Sequence, residues 1–249
     1  MVLVVDKWLL KEQNIKKDNY YASEIKEFAK KTTLINYPNT IMLRKNKKIN
    51  YDNGYLIYGE NRDKIFVGKI DLLIGGSPCQ NFSSARAMGG FEIDGLDGDK
   101  SVLFFEYLRL LKEIKPTYFL LENVKMKKGS EEELNEYLGV DGIHMNTNNV
   151  SFQNRPRIYW TNIPNVVPPE DRHINFQDYM DRDYDYCKQF KVNRTPSRER
   201  MWDNGKNSTP YSCKNITHSN KVNCLTRKQD RCPNSGLVEF DDFCRYLTR

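Results

Sequence analysis

No glycine precedes Gly54 in this 249-residue chain, no C-x-x-C pair occurs, and no apolar run approaches the ~20 residues that cross a bilayer. Each absence excludes something. Without an early glycine, the opening stretch MVLVVDKWLL cannot end in a turn that brings bare backbone against a bound cofactor. The six cysteines lack metal-ligand spacing, so Cys187, Cys213, Cys224, Cys232 and Cys244 read as buried or idle thiols of a reducing compartment, and no metal is expected. With no apolar span, and no basic start followed by a small-residue cleavage site, the chain is expected to be cytoplasmic and free of the membrane. Internal repeats and low-complexity tracts are absent as well.

What the chain does have is length for one large α/β domain with a small appended unit, and a formal charge of +6. Lys and Arg cluster at Arg44 to Lys48, Lys125 to Lys128 and Arg194 to Arg200, as on a surface that meets phosphates.

Short apolar runs alternate with helical patterns. Lys69 to Gly75 (KIDLLIG) reads as a buried strand, Ser101 to Ile114 carries apolar residues at helical spacing and stops before Pro116, and Thr117 to Leu121 is the next strand. That is a βαβ unit, whose following loops, GGSPCQNFS and ENVKMKK, emerge on one sheet edge where open α/β sheets bind ligands. The composition divides the chain into a catalytic part over residues 1–165, a loop-rich insertion over 166–215 rich in Asp, Tyr, Arg, Asn and Pro, and a return to the first part over 216–249.

Cys79 sits on a Gly-Gly-Ser-Pro turn directly after a buried strand, a placement that holds a thiol at a cleft rather than in a core. The next strand ends in Glu122-Asn123-Val124 and brings a carboxylate to the same edge. Gln153-Asn154-Arg155-Pro156-Arg157 leads into Ile158-Tyr159-Trp160, so the alternation of a strand would turn both arginines to one face. Asn19 to Glu24 reads as a second strand of a Rossmann-like unit that closes on an acid, a position suited to ribose hydroxyls.

In this order, SPCQNFS, ENV and QNRPR resemble the signature blocks of the DNA cytosine-C5 methyltransferase family, particularly its short bacterial and phage members, over about Asp18 to Arg249. The resemblance implies a Rossmann-like methyltransferase sheet with a small target-recognition insertion, S-adenosylmethionine as methyl donor, and double-stranded DNA with a flipped cytosine as partner. It implies that Cys79 adds to C6 of the base, that Glu122 stabilises or protonates N3, and that Arg157 and Arg155 hold the base and its surroundings. Glu24 would bind the donor's ribose, Ile25 would pack on its adenine, and Pro78 would lie near its methyl end. Gln80, Ser83, Gln153, Arg194 and Arg198 would meet DNA, and Gly89 to Asp99 would form a loop closing over the base.

The family's glycine turn and an acid near Lys45 are not found in the sequence as it stands, and FCRYLTR resembles the approach to the family's final block, which is expected to be missing. Rereading the codons of Met1 to Leu10 two bases later can encode GFSCGQMAL, which resembles the missing turn, so a frameshift near Leu10 is expected. Two other readings stay open: a catalytically silent DNA-binding remnant, and a transfer-RNA methyltransferase of the same superfamily, although SPCQNFS resembles the DNA enzymes more than the RNA branch.

Overall fold

The computed structural model describes residues 19–24, 26–43, 49–59, 61–76, 102–193, 195–196, 199, 214–225 and 236–247. Ile25, Pro78, Cys79, Gln80, Ser83, Arg194 and Arg198, and the expected loop over 89–99, lie outside the described residues. The chain forms two compact units, Met1–His144 with Arg157–Val167, and Met145–Pro156 with Pro168–Arg249. Compactness therefore divides the chain elsewhere than composition does. Residues 216–225 and 236–247 pack with the second unit, and the QNRP stretch leaves the first.

The first unit opens with β1 (Tyr21–Ser23), α1 (Glu27–Asn36) and β2 (Ile41–Leu43), the two strands pairing in parallel. Ala22 and Leu43 are buried, whereas α1 buries none of its residues and ends at Tyr37 ahead of Pro38, which cannot continue a helix. Next comes an antiparallel meander of β3 (Asn50–Asp52), β4 (Tyr55–Tyr58) and β5 (Asp63–Phe66). Its first hairpin turns on Asn53-Gly54, with φ of +46° and +82° at the two central residues, the left-handed pair that an Asn-Gly turn supplies at little cost.

The main sheet follows the expected βαβ pattern and then departs from it. Strand β6 (Leu72–Gly76), helix α2 (Val102–Ile114) and strand β7 (Tyr118–Val124) form the parallel crossover, with Leu72 opposite Tyr118 and Gly76 opposite Glu122. After α3 (Lys128–Leu138), which ends on left-handed Gly139, come β8 (Ile143–Asn146), β9 (Gln153–Asn154) and β10 (Pro156–Thr161). The sheet order is β6-β7-β10-β8, and β10 runs antiparallel to β7.

Alternation along these strands separates two faces. Phe119, Leu121 and Asn123 of β7 and Ile158 and Trp160 of β10 are buried on the face that α2 and α3 cover. There the Trp160 Nε1–H donates to Asn135 Oδ1 at 2.7 Å, and the same oxygen accepts the Gly142 N–H at 3.1 Å. Beyond β10, Asn162 Oδ1 accepts the Phe119 N–H at 2.8 Å, so the end of the β7–β10 pairing is pinned from both strands. Leu120, Glu122 and Val124 point to the other face, together with Arg157 and Tyr159.

The second unit adds α4 (Tyr184–Lys188), β11 (Val222–Asn223), β12 (Leu237–Glu239) and β13 (Cys244–Tyr246). Strand β9 pairs in parallel with β11, and β12 pairs antiparallel with β13. Phe176, Met180, Ile216, Val222, Val238 and Leu247 form its core. Among the described residues, no helix is long and apolar enough to cross a membrane.

The closest packing under the sheet is at Gly75, where a Cβ would stand 2.5 Å from the Tyr107 ring of α2. Tyr107 is 1% exposed and its hydroxyl donates to Leu120 O at 3.2 Å, so the ring cannot swing aside without abandoning a buried hydrogen bond; burial pushes its phenol well above the usual range. Gly75→Ala is expected to destabilise the fold by roughly 1–3 kcal/mol through overpacking. Gly129→Ala, in α3 with no atom near the added methyl, is expected to leave the melting temperature unchanged or slightly raised. Thermal unfolding of the two variants checks this, and equal midpoints contradict the packing described.

Candidate active site

Two strand registers assemble the candidate site in the first unit. The β6–β7 pairing sets Gly76, the last residue before the SPC segment, directly beside Glu122. The β7–β10 pairing sets Tyr159 opposite Glu122 and Arg157 opposite Val124, so Arg157 is the diagonal neighbour of Glu122 on one face. Diagonal neighbours are within reach of long side chains. Arg157 Nε lies 2.7 Å from Glu122 Oε1, with 16% of the arginine side chain and 35% of the glutamate side chain exposed.

The second carboxylate oxygen is turned toward β6. A Cβ added to Gly76 would be 3.4 Å from Glu122 Oε2, so the glycine leaves that oxygen room. The carboxyl group is ion-paired to a guanidinium through one oxygen and has its other oxygen beside the last residue of β6. Such a group can deliver a proton to, or take one from, a ring nitrogen presented at that edge. Asn123 points to the opposite face, is 1% exposed, and accepts the Val124 N–H on Oδ1 at 2.8 Å, which stiffens the strand end behind Glu122.

At the other parallel pair, Glu24 follows β1 and is 7% exposed. Its Oε1 accepts the Lys26 N–H at 2.8 Å, so the carboxylate is held where the chain turns from β1 into α1. An acid at the carboxyl end of a parallel strand is chemically suited to ribose hydroxyls.

The expected pairing of Arg155 and Arg157 on one strand face is not what the structure forms. Pro156 has no N–H and restricts the residue before it, so Arg155 falls in the break between β9 and β10. Its N–H donates to Asn146 Oδ1 at 2.9 Å, and its Nη1 lies 3.7 Å from Cys224 Sγ in the second unit. Gln153 lies in β9 opposite Val222, and its N–H donates to Ser151 Oγ at 3.2 Å. Gly76 was visible as the second glycine of IGGSPC, but nothing in the sequence marks Cys224 as the contact of Arg155.

Comparison with known proteins gives this geometry a family. The family model described as C-5 cytosine-specific DNA methylase matches residues 10–229. The chain belongs to that family. Among its relatives, the orphan methyltransferase M.Rho11sI of Bacillus phage rho11s is 49% identical over 63 residues, which are 25% of this chain and 12% of the relative. The type II methyltransferase M.NgoPII of Neisseria gonorrhoeae is 41% identical over 80 residues, 31% of this chain and 22% of the relative. The type II methyltransferase M1.ScrFI of Lactococcus lactis subsp. cremoris is 35% identical over 116 residues, 47% of this chain and 25% of the relative. The matched stretches thus span a quarter or less of each of these methylases. A solved structure of a putative DNA modification methyltransferase encoded within an E. coli prophage is 24% identical, with 58% of this chain and 39% of that chain covered at a TM-score of 0.41.

In this chain, the Glu122–Arg157 pair is exposed enough for solvent to screen it, and its coupling in a double-mutant cycle of Glu122→Gln and Arg157→Leu is expected to be at most about 1 kcal/mol. Thermal unfolding of the single and double variants measures it. A coupling several times larger would make the pair a structural strut rather than an orienting contact.

Proposed function

We propose that this methylase transfers a methyl group to C5 of a cytosine in DNA, with Cys79 as nucleophile, Glu122 as the acid at N3 and Arg157 as the residue that positions Glu122. The observation that carries this is the pairing of Gly76 with Glu122. Cys79 follows Gly76 by three residues, which span about 10 Å when fully extended, so the covalent chain tethers the thiol to the neighbourhood of the carboxylate.

The chemistry requires such a pair. C5 of cytosine is too weak a nucleophile to take a methyl group unaided. When the Cys79 sulfur bonds to C6 and Glu122 gives a proton to N3, the ring becomes enamine-like and its electron pair is available at C5. S-adenosylmethionine is the methyl donor that the family implies. After C5 is methylated, its proton passes to water, the electrons of that C–H bond restore the C5–C6 double bond, the Cys79–C6 bond breaks to release the thiolate, and the N3 proton returns to Glu122. None of these atoms is accessible within a stacked duplex, so the cytosine must be flipped out.

The remaining residues have supporting places in this reading. Glu24 fits the ribose hydroxyls of the donor because it is a buried acid at a parallel strand end; by the family resemblance alone, Ile25 would meet the adenine and Pro78 the methyl end. Gln80, Ser83, Gln153, Arg155, Arg194 and Arg198 meet the DNA, the arginines chiefly at phosphates.

Trapping on DNA that contains 5-fluorocytosine tests the reading, because fluorine at C5 blocks elimination only after sulfur has added to C6. With S-adenosylmethionine present, a chain whose opening is restored to GFSCGQMAL is expected to give a covalent adduct that survives denaturation, and this restored chain is the background for the substitutions. Cys79→Ser should give none, and Glu122→Gln should trap at least ~100-fold more slowly while binding DNA within a few-fold of the unsubstituted chain. Undiminished trapping by Cys79→Ser, or no adduct from the unsubstituted chain, contradicts the proposal.

A further inference from the structure

The second unit contains a cleft of about 610 Å³ with a buried positive charge in its wall. Arg245 of β13 is 4% exposed. Its Nη2 donates to Asp181 O at 3.1 Å and its Nη1 to Tyr246 O at 3.5 Å, while Nε finds no hydrogen-bond acceptor among the described residues. Both acceptors are neutral main-chain carbonyls. Asp181 lines the same cleft, but its Oδ1 accepts the Asp183 N–H at 2.9 Å. A buried guanidinium without a bound carboxylate is costly to maintain, and an anion entering the cleft offsets that cost.

A second guanidinium stands in the same cleft, with no carboxylate paired to it among the described residues. Arg155 is exposed, and among the described residues its Nη1 meets the Cys224 thiol, at 3.7 Å, a weak acceptor. Beside it lies an aromatic platform. The Phe152 and Tyr179 rings are 5.4 Å apart at 37°, Phe176 backs Phe152 at 5.5 Å, and Tyr179 is 63% exposed, so much of its ring is open to another flat group. Gln153 also lines the cleft, and an amide side chain can donate and accept at the edge of such a group.

We propose that this cleft takes one unstacked nucleotide of DNA other than the cytosine that meets Cys79, its base against Tyr179 and Phe152 and its phosphate at Arg155 above the buried charge of Arg245. The inference rests on the reading of the chain as a DNA methylase. A planar, polar-edged base and a phosphate together match a platform, an amide and two cations better than a simple anion does, because an anion has no use for the aromatic rings.

The test is fluorescence anisotropy of the full chain with a labelled single-stranded oligonucleotide and with one of the same length built wholly of abasic units. Tyr179→Leu is expected to weaken binding of the base-bearing strand roughly 5- to 100-fold and to leave the abasic strand unchanged, while Tyr179→Phe retains binding. Arg155→Gln should weaken both strands. In competition at fixed ionic strength, deoxyadenosine monophosphate should displace the label at lower concentration than inorganic phosphate. Equal effects of Tyr179→Leu on the two strands, no effect on either, or phosphate competing as well as the nucleotide would overturn the proposal. Cys79→Ser should bind both strands normally, so loss of trapping leaves this cleft standing, and failure of the cleft leaves the cysteine chemistry standing.

Discussion

The candidate site depends on strand register. Because side chains alternate with a period of two, the pairings of β6 with β7 and of β7 with β10 decide that Gly76, Glu122 and Arg157 share one face. A one-residue slip of β7 would turn Glu122 under the helices and bring Leu121, which is fully buried, to the site. The packed face makes that slip costly. Leu121, Ile158 and Trp160 are each 0% exposed, and Asn135, Thr161 and Asn162 fix β10 through hydrogen bonds to Trp160, Phe119 and Thr117. The core thus specifies the site from the far side of the sheet, and the ion pair at the surface needs to contribute little stability to be well placed.

The second unit stands on separate packing, the core around Phe176, Met180 and Val238 and the aromatic contacts of Phe152. Its polar wall is arranged differently from the first site. Glu122 and Arg157 form an ion pair, whereas Arg155 and Arg245 are met by a thiol and by main-chain carbonyls. One site is internally neutralised and the other leaves positive charge toward a cleft. That contrast is the physical basis for assigning proton transfer to the first and a phosphate-bearing group to the second.

The main crossover was legible because its signals are local: a continuous apolar run for β6, helical spacing in 101–114, and Pro116 as a stop. Glu122 stands near the end of β7, where its sequence position suggested a carboxylate at the strand edge, while Cys79 lies outside the described residues. The β3–β4–β5 meander went unread although Asn53-Gly54 marks its first turn, because its strands are three or four residues long and half exposed, with little alternation to find. The placement of Arg155 was not legible. Alternation would have put it with Arg157, but Pro156 interrupts the strand, and the contact with Cys224 joins residues 69 apart in sequence. The compact units likewise follow long-range packing, as of Ile216 and Val238 with Phe176, which composition along the chain does not register.

The central claim is that Cys79 and Glu122 act together on one cytosine, and the most direct measurement is release of tritium into water from DNA labelled at cytosine C5, with no methyl donor present. Addition of sulfur to C6 with a proton at N3 makes C5 basic enough to take a solvent proton, and the reverse reaction then expels tritium. The account predicts release above the DNA-only background from the unsubstituted chain, none with Cys79→Ser, and a loss of at least ~100-fold with Glu122→Gln. Release that persists in either variant, or that is absent from the unsubstituted chain, contradicts it.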